Sequence, residues 1–64
     1  MPDPHDDLPP IGAPATGALH LAGYTRLSQL GGVPERDLLT LHGVGPKAIR
    51  ILREALMERG LSFG

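Results

Sequence analysis

The placement of glycine and proline constrains this chain more than any other feature. Nine Gly and seven Pro fall among 64 residues, and neither type sits comfortably inside a helix or strand. Their positions are orderly. Four Pro lie between Met1 and Pro10, while Pro14, Pro34 and Pro46 each open an apolar-periodic segment, where Pro suits the first turn of a helix. Gly23 and Gly60 follow such segments, where a left-handed stop belongs. The punctuation therefore predicts short helices. No alternating β-branched run occurs, so no strand is expected.

The first helix is expected to open at Ala13–Pro14, with Ala15, Ala18, Leu19 and Ala22 on one face. Thr25 is the candidate N-cap of a short helix through Leu30, with Leu27 and Leu30 inward, and Gly31-Gly32 breaks it. Pro34 opens a third, with Leu38, Leu39 and Leu41 inward. Pro46 opens the last and longest helix, running to about Arg59. Ala48, Ile51, Leu52, Ala55 and Leu56 share its apolar arc, and Lys47, Arg50, Arg53, Glu54 and Met57 the opposite one. Leu61 and Phe63 are expected to fold back onto the core. A weak repeat at a spacing of 33 matches Leu8, Ile11, Gly12, Ala15 and Leu19 with Leu41, Val44, Gly45, Ala48 and Leu52. The expected domain is an all-α bundle of four to five short helices over residues 11–64, preceded by a flexible, acidic, Pro-rich tail over 1–10.

A chain this short holds one domain and buries only about 60% of its unfolded surface, which leaves no room for a deep catalytic cleft. It has no Cys, hence no disulfide or thiolate metal site, and a reducing cytoplasmic setting fits. Its three His lack ligand spacing, so no metal and no cofactor is expected. Ser28, Ser62 and the three Thr have no local base, so no enzyme is expected either. Aromatics make up only 3% of residues, so the core must be aliphatic. No apolar run approaches the ~20 residues of a membrane span. Net charge is −1, but Gly43 to Arg53 carries Lys47, Arg50 and Arg53 without an acid.

The segment Leu41-His42-Gly43-Val44-Gly45-Pro46-Lys47 carries a mechanism. Two Gly allow a sharp turn and a close approach by another molecule, and Val44 between them plugs into the core. The turn empties into a helix N-terminus, whose free N–H groups and dipole favour a phosphate. Lys47 adds a formal charge, Arg50 follows one turn later, and His42 is expected at the exposed loop edge. Base cations in a helix's first turns oppose its dipole, which argues for an external anion. The expected ligand is a sugar-phosphate backbone contacted without base readout.

Leu41 to Leu52, LHGVGPKAIRIL, resembles the helix-hairpin-helix motif of DNA-binding domains that lack sequence specificity. From Asp6 to Gly64 the chain is similar to the C-terminal domain of the bacterial RNA polymerase alpha subunit, most closely over DLLTLHGVGPKAIRILREALMERGLSFG. The resemblance implies a bundle of two pseudo-repeated helix-hairpin-helix units, SAM-domain-like in outline, in a small free-standing, transcription-related bacterial protein. It implies contact of Gly43, Val44, Gly45, Lys47 and Ala48 with duplex DNA in the minor groove, with His42 and Arg50 beside them. The chain departs from the family at Ala48, commonly Ser there. It departs again at Pro14 and Gly17, where the family places an Arg and an Asn. A protein-interaction module that has lost DNA binding is the alternative. Leu21, Ile49 and Met57, expected at the flanks, are then either scattered surface apolars or a partner surface.

Overall fold

The computed structural model describes residues 7–64. The expectation of a flexible tail falls largely on residues 1–6 and so lies outside the described residues. Pro14 and Pro46 stand in the first turn of their helices, as the ring's fixed φ allows. Helix α1 spans Ala13–Leu21, α2 Glu35–Leu39 and α3 Pro46–Glu58, and a single 3-10 turn covers Leu27–Leu30. The protein is thus all-α among the described residues: three α-helices and one 3-10 turn, where four to five helices were expected. Among the described residues the only β-type pairing is an isolated bridge between Asp7 and Arg26.

Both longer helices end the same way. Tyr24 N–H donates to the Leu19 carbonyl at 2.8 Å, and Leu61 N–H to the Leu56 carbonyl at 2.8 Å, each reaching over a glycine with positive φ. These bonds satisfy carbonyls that a helix end leaves orphaned. The 3-10 turn is capped differently from the Thr25 expectation. Arg26 is the N-cap, and Gln29 Oε1 accepts the N–H groups of Thr25 and Arg26 at 2.7 and 2.9 Å.

Leu19, Leu30, Leu38, Leu52 and Leu56 are fully buried and form the centre of the core. Leu8, Ile11, Leu61 and Phe63 pack against it at half burial. After α3 the chain is strapped to the loop before α2: Gly32 N–H donates to the Ser62 carbonyl at 2.9 Å, and Gly64 N–H to the Val33 carbonyl at 3.0 Å. The radius of gyration, 10.5 Å, is about that of any close-packed chain of this length.

Four side chains differ from the sequence pattern. Ile49 is 3% exposed rather than a flank residue, and Ile51 is only half-buried. Helix α3 packs against both α2 and the 3-10 turn, which rotates its buried arc toward Ile49. Leu39 is 44% exposed beside buried Leu38, because five-residue α2 turns only one side inward. Ala22 is exposed at the C-cap of α1 rather than on the apolar face.

Candidate nucleic-acid interface

The Gly43–Gly45 turn joins Leu41 to α3, and its two glycines do different work. Gly43 has φ 97, and a Cβ there would meet the Pro14 carbonyl oxygen at 2.7 Å. It is therefore required by both conformation and packing, and it seats the turn on the first turn of α1. Val44 is 6% exposed, anchored in the core as its position between the glycines predicts.

Gly45 is the N-cap of α3, with φ −109 and ψ 179, a conformation open to any residue. A Cβ on it would meet nothing within 4 Å. Neither the backbone nor the packing demands glycine. Ser, Asp or Asn would cap α3 better, yet no side chain caps it. The first helical bond runs from Ile49 N–H to the Gly45 carbonyl. The N–H groups of Gly45, Lys47 and Ala48 find no acceptor among the described residues.

Lys47 is exposed at this end of α3 and pairs with no carboxylate among the described residues. Arg50 is exposed one turn on, its Nε 3.6 Å from Glu54 Oε1. The Ala48 side chain is only 6% exposed, so any contact at this position falls to its N–H rather than to its methyl group. His42 is exposed at the edge of the turn. The sequence-predicted residues thus gather at one end of α3, with Val44 and Ala48 facing inward as supports.

Gly43, Gly45, Lys47 and Ile51 face Ile11 and Gly12 across a cleft of about 360 Å³. The N-terminal turns of α1 and α3 therefore stand side by side. Pro14 and Gly17 are both exposed on α1, and neither carries a polar side-chain atom.

One contact has no signal in the sequence, and one exposed side chain agrees with its expected place at the flank. Arg53, expected on a solvated face, donates from Nε and Nη2 to Glu35 Oε1 at 2.8 and 2.6 Å, tying α3 to α2. A separation of 18 residues gives no local signal for that pair. Leu21 is 92% exposed beside a shallow depression lined by Ala18, Ala22, Leu41 and His42. No group of three or more metal-ligating side chains occurs among the described residues, and no helix there is long and apolar enough to cross a membrane.

Comparison with known protein families, curated proteins and solved structures returns no match.

Proposed function

We infer that this chain is a small helix-hairpin-helix module that grips the sugar-phosphate backbone of duplex DNA, from the minor-groove side, without reading base sequence. Gly45 carries the reading. It is a glycine that neither the conformation nor the interior requires, at a helix end whose N–H groups have no acceptor among the described residues. A side chain there would stand in the path of a phosphate. Gly43 fixes the turn against α1, Lys47 supplies the nearest charge, Arg50 the next, and His42 borders the footprint.

The two-unit architecture belongs to the same proposal, and the repeat supports it. Gly12 and Gly45 both precede helices, and the first helical bonds, Thr16 N–H to Gly12 and Ile49 N–H to Gly45, are offset by the repeat spacing. Ala15, Leu19, Ala48 and Leu52 are all buried at matching positions. Few phosphate contacts imply weak, salt-sensitive binding, strengthened where several copies or a partner act together. No catalytic role is proposed.

Binding to a short duplex across a salt series tests this, with Lys47→Glu and Arg50→Glu alongside. Affinity should fall with salt and collapse in both variants. No binding of the wild type at low salt removes the reading. The exposed Leu21 favours a second one, a protein-docking module that uses the α1 face. In that case Leu21→Ser abolishes partner capture and Lys47→Glu does not.

A further inference from the structure

Lys47 and Arg50 stand one turn apart, yet they are not equivalent cations. Lys47 has no acid within ion-pair distance among the described residues, whereas Arg50 lies alongside Glu54. At 3.6 Å, with 78% and 66% of the two side chains exposed, that contact is an ion pair and not a hydrogen bond. Arg placed N-terminal to Glu is also the weaker order on a helix. Arg53 makes a tight pair between helices instead, its Nε and Nη2 both donating to one oxygen of Glu35. Of the three cations on the outer face of α3, two are answered by acids of the same chain.

We propose that Glu54 is a built-in competitor for the phosphate. It draws the Arg50 guanidinium along α3, away from the Gly45 turn, and places a negative charge where an approaching backbone would meet that guanidinium. The proposal rests on the DNA-backbone reading. A pair this open is exchangeable, so Glu54 sets the affinity low without closing the site. Lys47 and the free N–H groups make the first contact, and Arg50 joins only when a phosphate displaces the carboxylate. Glu35 does not take part in this, because its hydrogen bonds hold Arg53 at the α2–α3 seam.

Fluorescence anisotropy with a labelled duplex, from about 20 to about 200 mM salt, tests this. The proteins are the wild type, Glu54→Gln, Glu58→Gln, Arg50→Gln and the Arg50→Gln/Glu54→Gln double variant. Glu54→Gln should bind roughly fivefold tighter, from release of the pair and removal of carboxylate–phosphate repulsion. Its log–log salt slope should steepen by up to about 0.9, one further phosphate contact. Glu58→Gln makes the same charge change one turn further along, without an Arg50 contact, and should gain less than about twofold through screened solvent. In the Arg50→Gln background the gain from Glu54→Gln should shrink, because only the carboxylate–phosphate repulsion is then left to remove. If the wild type binds and the Glu54 and Glu58 variants gain equally, Glu54 is no competitor and the DNA reading stands. If no variant binds, both fall together.

Discussion

Replacing Gly45 by Ser sets stability against function. At φ −109 and ψ 179 a serine enters the N-cap position without backbone strain, and its Cβ meets open space. Two gains follow. The hydroxyl caps an N–H at the start of α3, worth a few tenths of a kcal/mol over glycine. Removing a glycine also narrows the unfolded ensemble, worth about 0.4–1 kcal/mol where the native conformation suits the new residue. Together they give about 1 kcal/mol, a rise in Tm of about 4–8 °C for a domain this small. The same hydroxyl consumes a donor and fills the space in front of it, so duplex binding should weaken. Thermal unfolding followed by circular dichroism and anisotropy with a duplex read the two effects. A Gly45→Ser protein that is less stable would refute the capping reasoning. One that is more stable yet binds DNA as tightly as the wild type would refute the claim that Gly45 keeps the approach open.

The neighbouring glycine should behave oppositely. Gly43→Ala puts a Cβ at positive φ and against the Pro14 carbonyl, and should cost about 2 kcal/mol or more in thermal unfolding. Leu52→Ala at the fully buried centre of α3 should cost about 3–5 kcal/mol, enough to unfold much of a domain this size at room temperature. Leu21→Ser on the exposed end of α1 should stay within about 0.5 kcal/mol of the wild type. A double-mutant cycle on Arg53 and Glu35 in urea should return a coupling of only about 0.5–1 kcal/mol, because both side chains remain partly in water.

The helix starts were legible because their chemistry is local. Pro14 and Pro46 can stand in a first turn and almost nowhere else in a helix, and Gly23 and Gly60 mark the ends at which the chain reverses. The Gly43–Gly45 turn was legible for the same reason, down to Val44 as its anchor. What each glycine does there was not. That Gly43 is required by Pro14 and Gly45 is required by nothing inside the protein depends on which loop lies against which helix. Ile49 departs from its place on a helical wheel, which presumes one partner surface, because α3 packs against α2 and the 3-10 turn at once. The Arg53–Glu35 bond is likewise a tertiary fact, set by where α2 lies beside α3, whereas the exposure of Leu21 was legible from its flank position on α1.

Amide chemical shifts during titration with a short duplex at low salt test the central claim most directly. If the backbone phosphate docks on the start of α3, the Gly43, Gly45, Lys47 and Ala48 amides shift first and furthest, and the shifts vanish as salt is raised. Shifts centred on Ala18, Leu21 and Ala22, or none anywhere up to saturating duplex, would contradict it.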